Sequence, residues 1–142
     1  MTTKIIYTAE ATATGGREGH VRSADGSIDL QLAVPKEMGG PGGRMANPEI
    51  LFAAGYAACF EGAVRLVARE AGVKLGPDTR VTARVGIGPR EAGGFGLKVE
   101  LKARLDGVDD AKALELATRA HEDICPYSHA TRGNVDVDVS VG

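Results

Sequence analysis

Asn47-Pro48-Glu49-Ile50-Leu51-Phe52-Ala53-Ala54-Gly55-Tyr56-Ala57-Ala58-Cys59-Phe60 is the stretch from which the rest of the chain is read. Asn47 can cap a helix, Pro48 suits the first helical position, and Glu49 brings negative charge to the positive end of the helix dipole. From that start Leu51, Phe52, Cys59, Phe60, Ala63, Leu66 and Val67 give an apolar surface. The pattern predicts a helix to about Ala71, ended by Gly72 and then Gly76-Pro77-Asp78. Gly55 and Gly62 inside it each cost about 1 kcal/mol relative to alanine, so they point to close packing.

On the N-terminal side, Ile5 to Thr14 reads as a strand, Gly15-Gly16 breaks it, and Gly19 to Arg22 returns alongside. Ser23-Ala24-Asp25-Gly26 is a turn. Ile28, Leu30 and Leu32 then alternate with Asp29, Gln31 and Ala33, as in a strand with one buried face, until Pro35. Between Pro35 and Asn47, four glycines around Pro41 predict a loop, one that lacks the Lys-Ser/Thr ending of a phosphate loop. On the C-terminal side, Val81 to Gly88 and Phe95 to Leu105 predict a hairpin. Asp109 or Asp110 caps a second helix with a stripe of Ala113, Leu114, Ala117, Ala120 and Ile124, which Pro126 should stop. Valines alternate with polar residues from Asn134 to Val141, a last strand. The order strands, helix, strands, helix, strand argues for one α+β domain, residues 1–142, with helices over one face of a mainly antiparallel sheet.

With 142 residues the chain is large enough for a core that needs no disulfide or metal staple. Seventeen basic against nineteen acidic residues give a formal charge of -2, too little to collect nucleic acid or anionic lipid. No leader pattern or membrane-length apolar run is read from the sequence, so a soluble, cytoplasmic protein is expected. His20, His121 and His129 make no recognisable metal set with the cysteines.

Cys59 and Cys125 are the two cysteines, and in a reducing compartment a pair like this suggests transient redox chemistry rather than a structural bridge. Sixty-six residues separate them, so any juxtaposition is tertiary. A thiolate is the competent nucleophile, and making one near neutral pH requires a positive charge or hydrogen-bond donors beside the sulfur. Arg17, in a flexible glycine-framed loop, is the leading candidate, and Glu49 offers its guanidinium a carboxylate from the helix that carries Cys59. Cys125 lies at a helix end before Pro126, where an accessible second thiol could condense with a sulfenic acid on Cys59. A cysteine in an apolar helix is also commonly a small core residue, and the spacing alone does not choose. Tyr56 and Tyr127 lie beside the cysteines in sequence as packing aromatics able to donate hydrogen bonds.

Four segments carry a family resemblance: Tyr7-Thr8 through Ala13-Thr14-Gly15-Gly16-Arg17; Asn47 through Phe60; Val85-Gly86-Ile87-Gly88-Pro89; and Cys125-Pro126-Tyr127-Ser128 through Thr131-Arg132-Gly133-Asn134. Together they resemble the organic hydroperoxide resistance proteins of the osmotically inducible protein C superfamily, over nearly the whole chain. The resemblance implies an intertwined homodimer with six-stranded antiparallel sheets packed around central helices and active sites at the interface. It implies Cys59 as peroxidatic thiolate, Cys125 as resolving thiol, and Arg17, paired with Glu49, as the cation that activates the sulfur. The implied activity is thiol-dependent reduction of organic and fatty-acid hydroperoxides through a Cys59-Cys125 disulfide. No bound cofactor is implied; recycling falls to an external dithiol, a lipoylated protein or another. Leu51, Phe52, Met38 and Phe95 are candidate apolar contacts for the organic tail. A non-enzymatic redox sensor and a ligand-binding homodimer with inert cysteines are the competing readings. Glu61, where a more neutral residue is usual, is expected at the surface, and His129 stands where the family leads us to expect asparagine.

Overall fold

The structure is a computed structural model and describes residues 2–142. The chain forms two compact units that meet in sequence at Pro48–Glu49.

The first unit is a three-stranded antiparallel sheet, β1 (Ala11–Thr14), β2 (His20–Ser23) and β3 (Asp29–Gln31), in the order β1-β2-β3. The first strand is shorter than its sequence suggests: residues 5–10 form no strand, and Ile5, Ile6 and Tyr7 are exposed. β-Branched composition alone does not make a strand where no partner strand offers its edge. The turn after β2 is as expected, closed by the Ser27 N–H and the Ser23 and Ser27 hydroxyls, all donating to the Asp25 carboxylate. The glycine-rich stretch after Pro35 contains one 3-10 turn, Lys36–Met38.

The second unit holds α1 (Pro48–Glu70), β4 (Arg80–Pro89), β5 (Phe95–Arg104), α2 (Asp110–Arg119), α3 (Pro126–Thr131) and β6 (Asp136–Val141). Proline stands first in α1, and Gly72 ends it: the Val73 N–H returns to the Ala68 carbonyl and the Gly72 N–H to Arg69, the paired closure of a Schellman motif. At 23 residues, with a mean hydropathy of 1.5 over its most apolar window, α1 is long and apolar enough to cross a membrane, which corrects the sequence reading on that point. Its Tyr56, Phe60, Ala63, Val64, Val67 and Ala68 are buried in a core shared with Val99, Leu101 and Ala103 of β5 and Ala113, Leu116 and Ala117 of α2. This is the central helix of an α+β core.

β4 and β5 make the expected antiparallel hairpin, but β6 runs parallel to β5, with Val99 opposite Val137 and Leu101 opposite Val139. The mainly antiparallel expectation holds with one exception, the parallel β5–β6 pair, and within the chain each sheet has three strands. A parallel neighbour cannot be reached by a tight turn; the chain must cross over a sheet face, and α2 and α3 are that crossover. Buried residues alternate with exposed ones along β5, so one face is apolar and the crossover covers it. The crossover carries Cys125.

Asp109, not Asp110, caps α2, accepting from the Lys112 N–H at 2.9 Å. The buried stripe of α2 is Ala113, Leu116, Ala117 and the following Ala120, while Leu114 and Ile124 are largely outside it. Replacing Asp109 with alanine removes that cap and is expected to cost about 1 kcal/mol. A lower urea midpoint at fixed protein concentration is the expected result.

Candidate active site

Cys59 lies midway along α1, and the crossover delivers Cys125 to it. After α2 the backbone widens into a π turn, Ala120–Ile124, closed by the Cys125 N–H donating to the Ala120 carbonyl five residues back at 2.8 Å. Pro126 then disfavours helical geometry at the residue before it, and Cys125 is extended, with φ -67° and ψ 119°. The same proline occupies the first position of α3, so it ends one helix and opens another. Only the stop was read from sequence. The result is a sharp corner with Cys125 at its apex.

Both thiols are free, and their Sγ atoms are 3.6 Å apart. A disulfide requires about 2 Å, so closure by about 1.5 Å would join them. Cys59 is half-buried and Cys125 is 1% exposed. Cys125 is thus not an accessible thiol, contrary to the sequence reading; it is sheltered from solvent and presented to Cys59.

Burial pushes the Cys59 thiol above its ordinary pKa. The Tyr127 backbone N–H, bonded to its sulfur, opposes that rise, and the neighbouring Cys125 adds to it, since two adjacent thiols compete for one negative charge. These neighbours alone do not make a thiolate.

Phe52, Tyr56 and Tyr127 form an aromatic triangle, with ring centroids 5.6–6.3 Å apart that meet edge-on or tilted. Gly55 is one helical turn before Cys59 on the same face. A Cβ there would lie 2.7 Å from Tyr127 Oη and 3.1 Å from its ring, so the glycine makes room for the tyrosine. Gly62, expected to serve close packing as well, has nothing within 4 Å of the corresponding position.

Behind the thiols, sequence reading missed a buried polar cluster. Tyr56 Oη is 2.9 Å from Ser128 Oγ and 3.0 Å from Thr131 Oγ1, and His121 Nδ1 is 2.7 Å from Ser128 Oγ. His129 is exposed, whereas His121 lies at helical spacing from Ala117 and so on the inner face. That spacing was the available signal. Burial and the Arg132 charge lower the His121 pKa, against a smaller upward pull from Glu122. The balance favours the neutral ring.

Arg17 occupies the 3-10 turn Gly16–Glu18 of the first unit and is half-buried. The sequence predicts a flexible loop here, and the structure has a tight turn: a Cβ on Gly19 would fall 1.7 Å from the Thr14 carbonyl oxygen. Gly15 and Gly19 serve close backbone approach, while Gly16 meets nothing within 4 Å and supplies a φ of +56°. Glu49 lies in the first turn of α1, about 15 Å along the axis from Cys59. Leu51 is half-buried on α1, Met38 is partly exposed in the first unit, and Phe95 is 69% exposed at the start of β5. Glu61 pairs with Arg65 one turn away and is partly exposed. Among the described residues, no three of His, Cys, Asp and Glu gather into a metal site.

Comparison with known proteins fits this geometry. Residues 40–140 match the OsmC-like protein family. An organic hydroperoxide resistance protein of Xanthomonas axonopodis pv. citri is 51% identical over 138 residues, covering 97% of this chain and 96% of its own length. The crystal structure of an organic hydroperoxide resistance protein from Elizabethkingia anophelis superposes with a TM-score of 0.92 at 52% identity, covering 99% of both chains. A Legionella pneumophila organic hydroperoxide resistance protein, OsmC, gives 0.91 at 50% identity over 98% of this chain and 99% of its own. The chain belongs to the OsmC-like superfamily, among its organic hydroperoxide resistance proteins.

Gly55→Ala tests the seat of Tyr127. Displacement of the ring is expected to move the Tyr127 N–H off Cys59 and slow alkylation of Cys59 at neutral pH, read by peptide mass mapping. Unchanged reactivity would mean that the tyrosine shifts without consequence for the sulfur.

Proposed function

We propose that this protein is a thiol-dependent peroxidase that reduces organic and fatty-acid hydroperoxides to alcohols, working as a cytoplasmic homodimer in which residues 1–142 act as one functional domain. The observation that carries the reading is the 3.6 Å approach of two free thiols far apart in sequence. Membership of the organic hydroperoxide resistance proteins supports it.

The Cys59 thiolate attacks the distal oxygen of R-O-O-H. The O–O bond breaks, the electron pair leaves on the alkoxide, which takes a proton to become alcohol, and Cys59 becomes a sulfenic acid. The Cys125 sulfur then attacks the oxidised Cys59 sulfur, hydroxide leaves with the thiol proton as water, and the disulfide closes. An external dithiol reopens it by two exchange steps and is itself oxidised to a disulfide; lipoyl groups are the proposed dithiol. Burial raises the Cys59 pKa, so the thiolate needs a cation, and that role falls to Arg17. Glu49 holds the Arg17 guanidinium, and Phe52 and Leu51 favour an organic tail over hydrogen peroxide.

Two features support a dimer. All four residues of β1 are exposed, as are Ile5, Ile6 and Tyr7 at 68%, 91% and 79%, and a three-stranded sheet needs an apolar face covered to be stable. Only 28% of the most apolar window of α1 is buried within the chain. A second copy covers these surfaces and completes six-stranded sheets.

Cys59→Ser is expected to abolish turnover of tert-butyl hydroperoxide with dihydrolipoamide, while Cys125→Ser still oxidises at Cys59 but forms no disulfide. Turnover by Cys59→Ser at the wild-type rate would refute the mechanism. Arg17→Ala leaves the thiol pKa higher, so its oxidation rate should rise only at more alkaline pH than in wild type. Coincident pH–rate profiles would remove Arg17 from its role. Sedimentation as a monomer at micromolar concentration would refute the dimer.

A further inference from the structure

The cluster behind the thiols has four hydrogen bonds and four available protons, which fixes its direction. Thr131 Oγ1 donates to the Ser128 carbonyl at 3.2 Å, so its proton is committed. The 3.0 Å contact between Tyr56 and Thr131 must then be Tyr56 donating. With the tyrosine proton used, the 2.9 Å contact to Ser128 has the serine donating. The serine proton is now committed too, so His121 must donate from Nδ1 across its 2.7 Å contact. Each hydroxyl gives one bond and receives one. No buried side-chain nitrogen or oxygen among the described residues is left without a partner.

The endpoints of this chain explain its purpose. Ser128 and Thr131 belong to α3, the short helix that Cys125 caps, and Tyr56 lies less than one turn before Cys59 on α1. His121 stands in the π turn on the other side of Cys125, and its carbonyl accepts from the Arg132 guanidinium at 2.7 Å, tying the two ends of the corner together. The segment after Cys125 is thereby fastened to α1 through Tyr56, and His121, before Cys125, is fastened to that segment through Ser128 and Arg132. We propose that His121, Ser128, Tyr56 and Thr131 form a one-way hydrogen-bond chain that holds Cys125 within reach of Cys59, making them positioning residues for closure of the disulfide.

This assignment rests on the peroxidase reading and concerns only its second step. A six-residue helix following a π turn has little stability of its own. Without the chain the corner would sample positions in which the sulfurs are farther apart, and closure would compete with escape of the sulfenic acid. Neutral imidazole in water favours the tautomer with the proton on Nε2, whereas this chain requires Nδ1–H. The lowered His121 pKa accords with a neutral ring favoured by burial and by the Arg132 charge, against a smaller opposing pull from Glu122; the Phe60 ring packs 6.5 Å away.

The test uses the full-length protein, tert-butyl hydroperoxide, and two separated rates: oxidation of Cys59, followed by trapping the sulfenic acid, and closure, followed by appearance of the Cys59–Cys125 disulfide. Tyr56→Phe and His121→Leu are both expected to oxidise at the wild-type rate; His121→Leu, which loses one hydrogen bond, should close about five- to tenfold more slowly, and Tyr56→Phe, which loses two, at least as slowly. His121→Asn, whose amide places an N–H near the Nδ1 position, is expected to restore closure. Nitrogen NMR of the reduced wild type should show His121 protonated on Nδ1, a signature independent of activity. Wild-type closure rates in both deletion variants, or an Nε2–H tautomer, would overturn the proposal. Failure of the wild type to form the disulfide would instead refute the peroxidase reading, leaving the NMR result to judge the chain by itself.

Discussion

The seating of residues 125–131 on the middle of α1 is the contact on which the site depends. Two cysteines sixty-six residues apart have no local reason to meet, and their 3.6 Å separation is the sum of several constraints. Parallel pairing of β6 with β5 forces a crossover over the face that α1 also covers. The π turn and Pro126 turn that crossover sharply at Cys125, Gly55 admits the Tyr127 ring, and the Tyr56 hydroxyl meets Ser128 and Thr131. Each link is ordinary chemistry. Together they place one sulfur in the path of another.

The same burial that makes this geometry possible works against reactivity. Removing Cys59 from water disfavours its charged form, and the single Tyr127 N–H does not offset the cost. A peroxidase built on this helix therefore needs a cation brought to the sulfur. Arg17 fits that requirement in kind, since a guanidinium remains charged at any working pH and can contact both a carboxylate and a peroxide oxygen. The tight turn that carries it is held by close backbone approach at Gly19, so the arginine stands on an ordered support.

The local elements were largely legible in the sequence because their signals are local. Asn47-Pro48-Glu49 and Gly72 mark the ends of α1, and alternation marks β4, β5 and β6 within a residue or two. The direction of β6 was not legible, since alternation is the same in parallel and antiparallel strands. Nor was α3: a proline after an apolar stripe reads as a stop, and its second use as a helix start depends on the turn before it. The thiol pair is legible in the sequence and its division of roles comes from the resemblance, while its distance is a tertiary fact. His121 was passed over for His129, although its spacing from Ala117 placed it on the inner face; a lone histidine declares its partner only when Ser128 is brought to it. Ile5 to Glu10 shows the opposite error, in which strand-like composition has no neighbouring edge to pair with in this chain.

The most direct measurement of the central claim is the mass of the intact reduced protein after one equivalent of an organic hydroperoxide, under denaturing, non-reducing conditions, with the linkage mapped by proteolysis. The account predicts a single chain lighter by two hydrogens, with Cys59 joined to Cys125 in the same molecule. A lasting added oxygen on Cys59, a disulfide between two chains, or no change would contradict it.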